Sequence, residues 1–134
     1  MIKNVENHIG TVEQLVNSGK GLSFFVIEGS RIKGDKESSE KIPAFAIRYD
    51  DVIRAFKNRC GHIAVNLDFK PGHFFTEEGD FLVCSTHGAL YEPATGACQG
   101  GPCFGIGLEP LSVVEHDGEL FLDDSSVMLV QENN

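Results

Sequence analysis

Basic residues are missing from the second half of this 134-residue chain, because every Lys and Arg lies at or before Lys70. Residues 71–134 hold eleven acidic side chains, and the whole chain carries a net charge of −9. Such an acidic half argues against nucleic acid or an anionic membrane as a binding partner. Two interpretations stay open: a solvated surface that aids solubility, or electrostatic steering toward a basic partner protein.

Long apolar runs are missing as well. No stretch approaches the roughly 18 consecutive apolar residues that a membrane-spanning helix needs. The first ten residues carry charges and amides where a secretion signal would need an apolar block. We therefore expect a cytoplasmic protein that does not span a membrane.

Cysteine is scarce, and nucleotide-binding motifs are absent. Four cysteines are too few for the disulfide framework of a small secreted protein, and in a cytosolic chain they more often serve metal or redox chemistry. The sequence has no internal repeat, no low-complexity linker, and neither a G-x-G-x-x-G nor a P-loop pattern. Its length predicts a single domain over residues 1–134.

Turn-forming residues are plentiful, and they indicate an all-β fold. Fifteen glycines and five prolines separate short β-prone segments. Predicted strands cover 23–27, 44–49, 52–57, 111–115 and 119–122. Tight turns are expected at Asp50-Asp51 and at Asp117-Gly118. This alternation predicts an antiparallel barrel or sandwich.

Two other segments carry local signals. Thr11 to Gln14 has the form of a helix capping box, which predicts a short helix over 11–18. The polar segment Gly29 to Lys41 is predicted to be a solvent-exposed loop.

Two short motifs in the glycine-rich middle of the chain offer metal ligands. They are Cys60-Gly61-His62 and Cys84-Ser85-Thr86-His87. Two thiolates and two imidazoles can hold a tetrahedral zinc ion. They can also hold a [2Fe–2S] cluster with two cysteines on one iron and two histidines on the other. A Cys–His pair can instead act as a nucleophile and its base.

The residues after the second motif favour one of these chemistries. His87 is followed by Gly88, by a Thr95-Gly96 turn and by a Gly101-Pro102 loop. This order resembles the Rieske iron–sulfur family, and the resemblance covers roughly residues 20–123. It implies a base of antiparallel β-sheets with an inserted, loop-rich cluster-binding lobe near residues 58–106.

The resemblance also implies one [2Fe–2S] cluster and a set of site residues. These are Cys60 and Cys84 on the inner iron, His62 and His87 on the outer iron, and the surrounding Tyr91, Gly101 and Pro102. Between Cys84 and Gly107 the only charged side chain is Glu92. An uncharged rim of this kind suits close approach by a redox partner.

The sequence departs from the family pattern in places. The 21 residues between the motifs exceed the family's usual spacer, so 68–75 is expected to form an added loop. Its simplest interpretation is surface decoration, and the alternatives are that it covers the flank of the cluster or contacts a partner. The positions of the inter-loop disulfide found in high-potential members hold Val65 and Thr86, and Ala89 replaces a serine donor.

Residues outside the two motifs receive simpler interpretations. Cys98 and Cys103 are not expected ligands: we interpret them as small, partly buried side chains, with a local disulfide or redox-active pair as the alternative. We expect the remaining histidines to be surface or structural residues, and they are His8, His73 and His116.

The function implied by the resemblance is one-electron transfer, by a ferredoxin that connects a reductase to a terminal oxygenase. Such a protein is an electron-transfer component rather than an enzyme by itself. A catalytic oxygenase subunit would need a second domain with mononuclear iron, and residues 123–134 cannot build one. The alternatives are a small Rieske subunit held in a larger oxidoreductase and, from a different class, a zinc-stabilised interaction module.

Overall fold

The structure is a computed structural model that describes residues 7–28, 41–59, 67–68, 72–84, 88–101 and 106–130. Within them the regular structure is one 3₁₀ turn, Val12–Gln14, and a series of β-strands. The strands are β1 (His8–Thr11), β2 (Leu22–Glu28), β3 (Ile42–Tyr49), β4 (Val52–Lys57), β5 (Leu82–Val83), β6 (Leu90–Tyr91), β7 (Cys98–Gly100), β8 (Pro110–Leu111), β9 (Val113–His116), β10 (Glu119–Leu122) and β11 (Val127–Leu129). The predicted all-β class is confirmed. The described part of the chain contains no helix with the length and apolar character needed to cross a bilayer.

The strands pair into three antiparallel sheets. The largest has the order β11-β2-β3-β4-β8, and a second has the order β1-β10-β9. The third sheet, β5-β6-β7, comes between β4 and β8 in the chain, although β4 and β8 are hydrogen-bonded neighbours. A small lobe is therefore inserted between two adjacent strands of the base, as the family resemblance implied.

Both predicted hairpin turns are present. Asp50 and Asp51 have φ angles of 52° and 68°, and they connect β3 to β4. Asp117 and Gly118, at 54° and 78°, connect β9 to β10 in the same way. Two successive residues with positive φ match the right-handed twist of the flanking strands, and Asp and Gly tolerate that conformation.

The helix predicted over 11–18 is wrong in extent. A side chain distant in sequence forms hydrogen bonds with the carbonyl groups that a longer helix would use. Thr11 and Gln14 do form the capping box. However, Leu15 is already extended, with φ −101° and ψ 117°. Arg48 on β3 donates from Nε to the Leu15 carbonyl at 2.8 Å and from Nη2 to the Val12 carbonyl at 3.3 Å. The helix therefore stops after one turn.

The strand predicted over 111–115 is in fact two strands that belong to different sheets. Leu111 on β8 pairs with β4, whereas Val113 on β9 pairs with β10. Between them, the backbone N–H of Ser112 donates to the Asp124 carboxylate at 2.9 Å, so a side chain replaces a strand partner there. Of the predicted loop over 29–41, residues 29–40 lie outside the described residues.

The central strand β3 is buried on both faces and supplies two cores. Ala44 and Ala46 enter the base core, which also contains Val12, Val26, Ala55, Leu120 and Leu122. Phe45 and Ile47 point the other way into the lobe core, which also contains Phe56, Leu67, Phe74, Leu82, Cys84, Ala89, Tyr91 and Leu108. The lobe is therefore packed directly onto the opposite face of the base sheet.

Within 68–75 the structure describes residues 68 and 72–75, and the prediction of surface decoration is wrong for Phe74 and Phe75. Phe74 has no exposed surface and belongs to the lobe core. Phe75 forms an isolated antiparallel bridge with Leu82, and it is only partly exposed. A single aromatic side chain packs this segment against the base sheet, instead of every second residue as in a regular strand. The sequence around Phe74 therefore shows no strand periodicity.

Candidate metal centre

Of the four predicted cluster ligands, the structure describes Cys84. Cys60, His62 and His87 lie outside the described residues, as does Pro102 of the surrounding loop. Cys84 directly follows β5, its sulfur is not in a disulfide, and the residue has no exposed surface. No group of three or more metal-ligating side chains occurs among the residues that are described.

The loop that carries Cys84 is closed by backbone hydrogen bonds. The N–H of Cys84 donates to the Ala89 carbonyl at 2.9 Å, and the N–H of Gly88 donates to the Cys84 carbonyl at 2.7 Å. Gly88 has a φ of +81°, a conformation that glycine adopts without steric cost. The two ends of the Cys84–Gly88 turn are thereby fixed through main-chain groups.

Tyr91 lies on the same face of the β5–β6 hairpin as Cys84. Tyr91 pairs with Leu82, Leu90 pairs with Val83, and the Cys84 backbone bonds to Ala89. Since side chains alternate along a strand, Tyr91 and Cys84 are diagonal neighbours on one face. Tyr91 also has no exposed surface and shares the lobe core with Cys84. The sequence-predicted tyrosine is therefore brought beside the predicted thiolate ligand.

Gly101 lies directly against the Cys84–Gly88 turn. A Cβ atom at this position would approach the Gly88 carbonyl oxygen and the Ala89 Cα to 2.9 Å each. The φ of Gly101 is +78°, so a side chain would also be strained by the backbone conformation. The backbone at position 101 can therefore approach Gly88 and Ala89 this closely only because residue 101 is glycine.

The loop that carries Cys60 and His62 is closed in a different way, by residues that the sequence analysis did not single out. Asn58, immediately after β4, is 3% exposed. Its amide accepts from the Leu67 N–H at 2.7 Å and donates to the Asp68 carboxylate at 2.9 Å. The same carboxylate accepts from the Gly72 N–H at 3.0 Å. A polar residue directly after a buried strand was the signal available in the sequence.

Lys57, at the end of β4, is the other polar side chain buried beside this loop. It is 3% exposed, and its Nζ lies 2.6 Å from Glu28 and 2.8 Å from Glu109. Burial alone would lower the pKa of Lys57, but hydrogen bonds and charge from Glu109 and Glu28 outweigh burial and raise the pKa. Lys57 is therefore charged and joins the end of β2 to the residue before β8.

Cys98 on β7 is disulfide-bonded, so it has no thiolate to offer a metal. Cys98 is partly buried, as expected, and it also takes part in a disulfide, the kind of bond that the alternative interpretation named. Its bonding partner is not among the described residues, and Cys103 also lies outside them.

The three histidines outside the motifs are at the surface as predicted: His8, His73 and His116.

The chain resembles known proteins in both sequence and structure. The sequence model of the Rieske [2Fe-2S] domain family matches residues 23–119. No curated protein sequence matches the chain. The Sphingomonas yanoikuyae B1 ferredoxin superimposes with a TM-score of 0.62 at 18% identity, over 89% of this chain and 98% of the ferredoxin chain.

Two proteins from Nocardioides aromaticivorans IC177 have the same fold. The ferredoxin of carbazole 1,9a-dioxygenase superimposes with a TM-score of 0.61 at 22% identity, over 87% of this chain and 95% of its own. The terminal oxygenase of carbazole 1,9a-dioxygenase superimposes with a TM-score of 0.61 at 16% identity, over 95% of this chain and 30% of the oxygenase chain. At these identities the superpositions establish a shared fold.

Proposed function

This chain belongs to the Rieske [2Fe–2S] domain family, and we propose that within it the chain serves as a ferredoxin, a one-electron carrier between a reductase and a terminal oxygenase. The cofactor of this family is one [2Fe–2S] cluster, which supplies the exchangeable electron. The observation that carries the proposal is the environment of Cys84. A fully buried sulfur, not used in a disulfide, lies beside Tyr91 in an otherwise apolar core.

The ligands we assign to the cluster are Cys60 and Cys84 on the inner iron and His62 and His87 on the outer iron. Two thiolates and two imidazoles are the donor set of a Rieske cluster. The surroundings of Cys84 fit this assignment, since its buried sulfur is not in a disulfide and lies in the lobe core beside Tyr91. With a cluster bound, the burial of Cys84 would keep water from its sulfur.

The disulfide at Cys98 adds a constraint to this ligand set. The chain has four cysteines, and Cys84 is not disulfide-bonded. Because Cys60 is required as a ligand, we assign Cys103 as the partner of Cys98. Peptide mapping of the alkylated, non-reduced protein tests this assignment, and a Cys60–Cys98 linkage would overturn both it and the ligand set.

The charge distribution of the chain supports a carrier that meets its redox partner by diffusion, because electrostatic steering speeds encounter more than it tightens binding. The acidic second half is suited to steering a basic redox partner toward the protein.

We treat residues 1–134 as one domain with the cluster lobe near 58–106, and we place the protein in the cytoplasm. Disulfides are uncommon in that compartment, so the Cys98 bond must resist reduction by glutathione, which requires a potential below roughly −300 mV. Subcellular fractionation tests this location: the protein should be recovered in the cytosolic fraction, with Cys98 still protected from alkylation there.

Two measurements test the proposed function. Electron paramagnetic resonance of the reduced protein should show a mixed Cys/His [2Fe–2S] signal, and an anaerobic titration should take up one electron per chain. The reduced protein should return that electron to cytochrome c as a one-electron acceptor. A colourless protein with one bound zinc ion would overturn the proposal in favour of an interaction module. An isolated chain that aggregates during sedimentation would favour a permanent subunit instead.

A further inference from the structure

The two loops that carry the assigned cluster ligands are closed by different kinds of hydrogen bond. The described bonds at the ends of the Cys84 loop join backbone groups of Cys84, Gly88 and Ala89. Among the described contacts at the ends of the Cys60 loop, the direct link is the Asn58 side chain, which bonds to the Leu67 N–H. A substitution can therefore open the Cys60 loop without changing a ligand.

The position of Asn58 makes it the fixed end of the Cys60 loop. It follows β4 directly, and its backbone N–H donates to the Pro43 carbonyl on β3 at 2.8 Å. The base sheet therefore holds the residue two positions before Cys60. Because the side chain is buried, water cannot substitute for a missing partner, and each unpaired group there is costly.

Asp68 holds the far end of the loop and orients the Asn58 amide. One oxygen accepts from Asn58 Nδ2 at 2.9 Å, and the other accepts from the Gly72 N–H at 3.0 Å. The Gly72 carbonyl in turn accepts from the Gly21 N–H at 2.8 Å, just before β2. The connected bonds therefore run from one strand of the base, across the mouth of the ligand loop, to another strand of the base.

We propose that Asn58 and Asp68 are positioning residues for the cluster: their hydrogen-bonded pair holds the two ends of the 58–67 loop at the separation that lets Cys60 and His62 reach the irons. This inference rests on the proposed function, since it needs Cys60 and His62 as ligands. It deepens that proposal by assigning ligand placement to two residues that do not touch the cluster.

An exchange of the two residues tests the pair. Asn58→Asp places two carboxylates at hydrogen-bond distance from each other. Asp68→Asn removes the negative charge at position 68 and replaces one of its two acceptor oxygens with an NH₂ donor. The double variant Asn58→Asp/Asp68→Asn restores every bond with the roles reversed. The carboxylate introduced at position 58 accepts from the Leu67 N–H and from the new amide at position 68, whose oxygen accepts from the Gly72 N–H.

The chain contains a control pair of the same residue types in the base. Asn17 Nδ2 donates to Asp51 at 2.9 Å, and Asn17 Oδ1 accepts from the Asp51 N–H at 2.7 Å. These contacts have the same chemistry, but they lie at the β3–β4 turn and not at the mouth of the ligand loop. Because Asn17 and Asp51 are both exposed, Asn17→Asp measures the effect of breaking an Asn–Asp pair at the surface, away from the ligand loop.

The readouts are the g-values of the reduced cluster and the rate of cluster loss at a fixed temperature. Asn58→Asp should shift the g-values and speed cluster loss about tenfold, because a buried charge-assisted pair is broken. The double variant should return both readouts to wild-type values. Asn17→Asp should leave the g-values unchanged and alter the loss rate by less than about twofold.

The outcomes separate this inference from the proposed function. Unchanged g-values and loss rate in Asn58→Asp would overturn the positioning role. A double variant as impaired as its single variants would also overturn it, and this remains decisive if Asn58→Asp alone fails to fold. A wild-type protein without a mixed Cys/His signal would overturn the proposed function itself, before any variant is compared.

Discussion

The phenyl ring of Phe74 stacks on that of Phe45, with ring centroids 4.0 Å apart and ring planes 12° from parallel. Phe45 lies on the central strand β3, whereas Phe74 belongs to the segment between the two ligand motifs. Neither side chain has exposed surface. The stack therefore attaches the segment between the motifs to the middle of the base sheet.

Phe74→Ala should destabilise the protein by about 3–5 kcal/mol, because it leaves a cavity in the lobe core and removes the aromatic stack. Urea denaturation followed by circular dichroism measures the change. The neighbouring His73 is exposed, so His73→Ala is the control and should stay within about 0.5 kcal/mol of wild type. A loss below about 1 kcal/mol for Phe74→Ala would show that the segment is not anchored by this ring.

The ligand assignment predicts opposite outcomes for histidine and cysteine variants. His62→Ala and His87→Ala should each abolish the mixed Cys/His resonance signal, because an imidazole on the outer iron is lost. Cys98→Ala should keep a cluster, because Cys98 is committed to a disulfide. The measurement is electron paramagnetic resonance together with iron content. A Cys98→Ala protein that bleaches while His87→Ala stays coloured would refute the ligand set.

The reduction potential should lie in the lower part of the family range of about −150 to +300 mV. Val65 and Thr86 exclude the inter-loop disulfide of high-potential members, and Ala89, buried opposite Cys84, cannot donate a hydrogen bond from its side chain. Donors to cluster sulfur or to a ligand thiolate raise the potential, so their absence lowers it. Protein-film voltammetry gives the value, and a potential near the top of the range would contradict the ferredoxin assignment.

Tyr91→Phe should lower the potential further, by about 40 mV if its hydroxyl contributes one bond of roughly 1 kcal/mol to the reduced state. The side chain lies diagonally beside Cys84 and has no exposed surface, so the variant keeps the packing of the ring. Voltammetry of both proteins at one pH measures the difference. An unchanged potential would show that the hydroxyl makes no bond to the cluster or its ligands.

Lys57 should make the stability of the protein fall at alkaline pH. Its folded-state pKa is raised, so its contribution is complete below the unfolded pKa of about 10.4 and is lost as pH rises through the folded value. Since both carboxylate partners are partly exposed, that contribution is about 1 kcal/mol. Urea unfolding of wild type and Lys57→Met across pH 8 to about 12 should show the stability difference changing by this amount. A constant difference across that range would exclude the mechanism.

Gly101 and Gly88 form a matched pair for testing the close approach at the Cys84–Gly88 turn. Their φ angles are +78° and +81°, so alanine at either position costs a similar backbone strain of about 1–2 kcal/mol. A Cβ at Gly88 meets nothing within 4 Å, whereas one at Gly101 meets backbone atoms at 2.9 Å. Gly101→Ala should therefore destabilise more than Gly88→Ala and lose its cluster faster. Equal effects in thermal unfolding and bleaching would show that the approach is not tight.

The amino-acid sequence by itself determined the features that depend on short-range geometry. The turns at Asp50-Asp51 and Asp117-Gly118 follow from residues that tolerate positive φ between two β-prone segments. Tyr91 falls beside Cys84 because a short antiparallel hairpin places alternating residues on one face. The motif residues and their order were sufficient to indicate the Rieske family.

Only the tertiary structure decided the features that depend on contacts between distant residues. Arg48 ends the first helical turn because its side chain donates hydrogen bonds to carbonyl groups of that turn. Asp124 divides a predicted strand because its carboxylate accepts from the Ser112 N–H. Phe74 is buried because Phe45 on another element provides the matching ring. In each case the local sequence permits more than one conformation, and the free energy of burial and of satisfied hydrogen bonds, available only after the chain has folded, selects the one observed.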